Sequence, residues 1–130
     1  MVEESQLDKI ESILKRDLIG KGVKRVLLID MSGNIIANLD SDNSELDIYS
    51  LAALAAGNYG AVGAMANIVG EDDFSLLFHR GKDVNVHFAN ILDEYLLLDI
   101  FNNNLSLGFL RLIVADAVDK IKHIIGNNTD

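Results

Sequence analysis

Apolar residues recur along the chain in two rhythms. Leu7, Ile10, Leu14 and Leu18 fall at helical spacing, with Glu and Lys between them, which predicts an amphipathic helix over 5–19. Ser5, followed by Asp8, reads as its capped start, and Gly20 and Gly22 as its stop. "VKRVLLID" and "NIIANLD" read as two strands joined by the tight turn "MSGN", centred on Ser32-Gly33. The polar run "SDNSELD" is a loop, and Ser44 or Asp47 caps the alanine-rich helix that follows and ends at Gly70. "FSLLFH" and "VNVHFA" form a second hairpin around "RGKD", which pairs His79 with Val84 and His87 with Leu76. "EYLLLDIF" is a further strand. A last helix from Ser106 repeats Leu107, Leu110, Val114, Val118, Ile121 and Ile125, and ends at Gly126.

The order is helix, two strands, helix, three strands, helix. Strands joined by short turns lie antiparallel. The expected fold is an α/β three-layer sandwich, with a five-stranded antiparallel sheet, one helix on one face and two on the other. No proline, repeat or linker divides the chain, so 1–130 reads as a single domain with frayed ends at 1–4 and 127–130.

The middle helix is the anomaly. "LAALAAGNYGAVGAMANIVG" holds Gly57, Gly60 and Gly63, each costing about 1 kcal/mol of helix stability relative to alanine. Ile48, Leu51, Ala55, Tyr59, Val62, Ala66 and Val69 gather into a stripe for the sheet. The opposite side is neither polar nor bulky. A helix apolar on both sides is covered on both sides, and small residues admit a second backbone closely. The outer helices each have one stripe, used on the other face of the sheet, so a two-fold dimer is the economical cover. The expected dimer interface is Tyr49, Ala53, Ala56, Gly57, Gly60, Ala64 and Asn67, with Leu76 on the adjoining strand. Tyr49, Ser50 and Asn58 are the expected partner-binding residues.

Composition narrows the function. A net charge of −9 and scattered Lys and Arg argue against nucleic acid and anionic lipid. The absence of cysteine removes disulfides and thiolate metal sites and fits the cytoplasm, where the chain is expected. The charged start is no secretory signal. The alanine-rich segment lacks charge, but Asn58 and Asn67 interrupt it and acids flank it, so it is not read as a membrane span.

Catalytic chemistry finds little support. The histidines lack metal-ligand spacing, and the acids Asp40, Asp42, Glu45 and Asp47 do not follow the EF-hand pattern. "GNYGAVGA" has neither the lysine nor the preceding strand of a phosphate loop. Arg80, at the second hairpin, suits an arginine finger in principle, but an exposed turn charge that blunts a sheet edge is the favoured reading. No catalytic residue, metal or cofactor is expected. A small-molecule sensor is disfavoured because no convergent polar groups appear.

"VLLIDMSGNIIA", the Ala/Gly-rich helix, "FSLLFHRGKDVNVHFANILDEYLLLDIF" and the final helix together resemble the Roadblock family of dynein light-chain type, in its bacterial gliding-motility, MglB-like branch. The resemblance covers nearly everything from Val23 to Gly126. It implies a homodimer or heterodimer built by the second helix and the neighbouring edge strand. It further implies binding of a small Ras-like GTPase of the MglA type, with stimulation of GTP hydrolysis by reshaping the GTPase's switch regions. The pattern is one of packing residues, so the resemblance implies a regulator rather than an enzyme. The alternative is a structural adaptor in a larger complex, with no effect on nucleotide turnover.

Overall fold

The computed structural model describes residues 2–41, 45–71 and 77–126. Ser44, Leu76 and the segment "NNTD" lie outside the described residues, as do Asp42 and the start of "FSLLFH".

Helix α1 (Glu4–Asp17) starts one residue before the expected Ser5, and its cap is Glu3. Glu3 and Gln6 form a capping box in which the Glu3 N–H donates to Gln6 Oε1 at 2.8 Å. Gln6 wins over the Ser5/Asp8 pair because its side chain also bonds the Ile124 carbonyl at 3.1 Å, fixing the helix start against the C-terminal helix. Glu4, expected in a frayed end, therefore belongs to the helix. A short 3₁₀ turn (Ile19–Lys21) follows, and Gly22 takes the left-handed conformation at φ 108°.

Strands β1 (Arg25–Asp30) and β2 (Ile35–Asp40) form the first hairpin, with a register irregularity between Leu28 and Ile29. Helix α2 (Ile48–Ile68) is followed by β3 (Leu77–Arg80), β4 (Val84–Ile91), β5 (Tyr95–Asn102) and helix α3 (Leu107–Gly126). The sheet order is β2-β1-β5-β4-β3, antiparallel throughout, so β2 and β3 are the edges.

The second hairpin differs in register from the sequence expectation. His79 pairs with Val86 and His87 with Phe78. Arg80 is in the strand, paired with Asn85, and the loop runs over 81–83. Gly81 fixes this position: its N–H bonds the Val84 carbonyl at 3.0 Å, and a Cβ there would collide with that same oxygen.

Two cores flank the sheet. On one face α1 and α3 pack Ile10, Leu14, Leu18, Leu110, Val114 and Ile121 against Val26, Leu28, Leu97 and Phe101. On the other face α2 alone packs Ala52 and Ala55 against Leu27, Ile29, Phe88, Leu96 and Leu98. The alternation along β1 and β5 separates the cores, since successive side chains point to opposite faces. The expected three layers, one helix against two, are therefore the observed ones.

Candidate interaction surface on the second helix

Helix α2 begins at Asp47, whose carboxylate accepts from the Ser50 N–H at 3.1 Å and the Ser50 hydroxyl at 2.6 Å. These bonds hold the Asp47 carboxyl below its ordinary value. Ser50, expected to meet a partner, is thus engaged in the cap. The helix stops at Val69, with Gly70 in the left-handed conformation at φ 87°.

The inner side of α2 is thin. Ala52, Ala55 and Ala66 are buried, and Ile48, Leu51, Ala56, Tyr59 and Val62 are half-buried. Small inner residues bring the helix close to its supports. A Cβ on Gly33, in the β1–β2 turn, would lie 3.2 Å from Ala53 Cα and 3.3 Å from the Ala52 carbonyl. Val69, placed in the sheet-facing stripe by the sequence, is 66 % exposed. It is the C-cap residue, past the last helical turn, where the periodicity no longer carries it under the helix.

The outer side divides into two flanks. Tyr49, Ala53, Gly60, Ala64 and Asn67 line the one beside the β1–β2 turn, and all are exposed. Gly57 lies near the crest, and nothing stands within 4 Å of where a Cβ on Gly57 or Gly60 would sit. Ala56, expected with this set, is half-buried against the sheet-facing core instead. The second flank is bulky: Leu54 (72 % exposed), Ala61, Met65 and Ile68 (84 % exposed) follow at helical spacing, with Asn58 among them. Asn58 Nδ2 lies 3.2 Å from His79 Nε2, which pins this stripe beside edge strand β3. The sequence reading missed Leu54, Met65 and Ile68 as surface residues. Their spacing with Asn58, which interrupts an otherwise apolar stripe, was the available signal.

Tyr59 is tied to the β4–β5 turn through its hydroxyl, which accepts from Asn90 Nδ2 at 2.7 Å. Asn90 Nδ2 also donates to Asp93 Oδ1 at 3.1 Å, and Asn90 Oδ1 accepts from the Asp93 N–H at 2.8 Å. The helix is therefore braced at three places: the Gly33 turn, the β4–β5 turn and β3.

The described surface of α2 is uncharged along its whole length. Arg80 lies elsewhere, lining a cleft of about 280 Å³ with Phe78, Asn85, Phe101 and Leu107 on the α1–α3 side of the sheet. His79 and His87 point to opposite faces, each bonded within the chain. Among the described residues no group of acids or histidines has the arrangement of a metal site, and no helix is long and apolar enough to cross a membrane. What α2 offers is shape and apolar area.

The Roadblock/LC7 domain model matches residues 9–101, which spans β1, β2, α2 and the strands that support it. The chain belongs to the Roadblock/LC7 family. Among solved structures of this Roadblock type, Myxococcus xanthus MglB is 32 % identical at a TM-score of 0.85, covering 92 % of this chain and 96 % of that one. The gliding protein MglB from Thermus thermophilus is 25 % identical at a TM-score of 0.85, covering 95 % and 93 %. A likeness in fold alone extends to profilin II of Acanthamoeba castellanii, at 15 % identity and a TM-score of 0.62, covering 86 % of this Roadblock chain and 95 % of the profilin. No curated protein sequence matches the chain.

Proposed function

We propose that the chain is a homodimeric docking module for a small Ras-like GTPase of the MglA type, and that it stimulates GTP hydrolysis by reshaping the GTPase's switch regions. The observation that carries this reading is the outer side of α2, apolar, uncharged and exposed among the described residues. Exposed apolar area on this scale marks an interaction site. Likeness to MglB along nearly the whole chain supports the choice of partner. A second copy packs on the flank nearest β3, over Leu54, Met65 and Ile68, with the sheet edge continuing beneath it. The smooth flank of Tyr49, Ala53, Gly60, Ala64 and Asn67 meets the GTPase. The acidic surroundings steer a partner with basic patches. Expected residence is the cytoplasm, where such a GTPase works.

Because α2 has no charged side chain to insert, the effect of this surface on hydrolysis arises through preferential binding of one switch conformation. The same lack of charge favours the adaptor reading, in which binding leaves turnover untouched. The test is a pull-down with GTP- and GDP-loaded GTPase, followed by single-turnover hydrolysis. State-dependent capture with faster hydrolysis supports regulation. Equal capture of both states at an unchanged rate establishes the adaptor. Arg80→Ala leaves the rate unchanged if Arg80 is only an edge charge, and lowers it at least a hundredfold if it is a finger.

A further inference from the structure

Beneath α1 and α3 the sheet carries one patch that is not apolar. Asn85 and His87 of β4 and Asp99 of β5 share that face, and His87 stands directly across from Asp99. All three are buried, Asp99 completely. His87 Nδ1 lies 3.4 Å from Asp99 Oδ2. Asn85 Nδ2 donates to the Phe101 carbonyl at 3.4 Å and to Asn103 Oδ1 at 3.0 Å. Asp99 Oδ1 and Asn85 Oδ1 are left buried without a hydrogen-bond partner among the described residues. Both are acceptors, so the patch is short of hydrogens.

Its surroundings supply none. Across β1 from Asp99 is Val26, and across β3 from His87 is Phe78, stacked on Phe101 at a centroid distance of 6.0 Å. The buried stripes of α1 and α3 above this face are aliphatic apart from Gln6, which is occupied at the helix cap and at the Ile124 carbonyl. The charged groups of the strands on this face stand at its rim: Lys24 before β1 and Asp30 at its far end, both half-buried, and Arg80 at the end of β3, exposed. The acids and bases of α3 lie off its inner stripe. Burial raises the Asp99 carboxyl to about 6, against the opposing hydrogen bond and charge of His87.

We propose that the Asp99–His87–Asn85 cluster is a proton-controlled latch on edge strand β3. With Asp99 protonated the closed sheet buries no carboxylate charge, and Phe78 stays packed beside His87 and on Phe101. With Asp99 ionised, opening the β3 edge brings water to the stranded carboxylate. The sign follows from linkage. The closed form holds the proton more tightly than the open, hydrated form. Closing is therefore favoured below the ordinary carboxylate range, and that advantage is lost as pH rises through the closed-state value. The latch belongs to the chain itself and stands whether or not the proposed GTPase binds.

The experiment is hydrogen–deuterium exchange of the β3 and β4 amides from pH 5 to pH 7, corrected for intrinsic exchange, on the full chain. Relative to Asp99→Asn, nearly isosteric, uncharged and carrying the same His87, the opening constant of wild type rises roughly tenfold over that interval, the increase that one such carboxyl produces. The carboxyl carbon shift of Asp99 in wild type, read by NMR, provides a check that needs no variant and titrates near pH 6. A wild-type profile that runs parallel to that of Asp99→Asn, or an Asp99 titration in the ordinary carboxylate range, overturns the proposal.

Discussion

Leu92 and Asp93, at the tip of the β4–β5 turn, both have positive φ, 57° and 58°. This is the conformation of a two-residue hairpin turn that favours Asn-Gly, and a leucine held there costs about 1 kcal/mol. The Asn90 side chain offsets the strain by bonding Asp93 twice and Tyr59 once. Leu92→Asn is therefore expected to raise stability by about 1 kcal/mol, read as a higher urea midpoint at unchanged m-value. Local chemistry made some residues legible from the sequence and hid others. Gly33 sits in a turn that Asp30 closes by accepting the Ser32 and Asn34 N–H groups at 2.9 Å each, a pattern that "DMSGN" announces. "ILDE" announces nothing of the kind, because the bonds that hold Asp93, and with it the turn, come from Asn90, which also bonds a tyrosine on another element. The buried Asp99 was hidden for the same reason: its environment is made by strands that become neighbours only in the fold.

Elements followed periodicity where one face was buried and one solvated. α1 and α3 were legible for that reason, and errors fell at their ends, where a long-range bond from Gln6 to Ile124 moved the cap. The two helices are further linked by Asp17, which accepts from Lys120 Nζ at 2.8 Å and lies beside Arg16. Hydrogen bonds from Arg16 and Lys120 hold the Asp17 carboxyl well below the usual carboxylate range. A depressed acid contributes stability above its unfolded value that disappears as pH falls through the folded one. Asp17→Asn is expected to cost about 1 kcal/mol near neutrality, discounted for the exposure of both cations, and nothing in strong acid. Denaturant midpoints of the two proteins, followed from pH 7 down to pH 2, are expected to draw together below about pH 4 without fully meeting by pH 2. α2 was legible as a helix, but its outer side was read as one smooth surface rather than two flanks. Gly60 offers a test of the proposed role of the smooth flank. A Cβ there meets nothing within 4 Å among the described residues, so Gly60→Ala stabilises the isolated protomer by about 1 kcal/mol. If a partner backbone packs there, the same substitution weakens the complex. Unfolding midpoints and partner affinity measured side by side then move in opposite directions.

At the scale of the whole molecule, a single helix covers one face of the sheet while two cover the other, and the thin layer is where the proposed function places another molecule. The layered plan was legible because each strand pattern had a single-sided or double-sided apolar face. What lies against α2 was not, because a surface that a second molecule covers has the same composition whichever molecule it is. Two pairs of substitutions separate the flanks. Leu54→Gln with Ile68→Gln removes apolar area beside β3 without adding charge to a chain already at −9. Both side chains are exposed in the protomer, so its circular dichroism spectrum stays as in wild type. A two-fold contact loses each side chain twice, roughly 6 kcal/mol in all, or about four orders of magnitude in Kd. Light scattering at micromolar concentration is then expected to report a monomer for this pair. Gly57→Leu with Gly60→Leu leaves the self-contact beside β3 intact and abolishes GTPase capture. If instead the leucine pair splits the dimer and the glutamine pair does not, the second copy sits on the smooth flank. Dimers that survive both pairs place the self-contact away from α2 altogether.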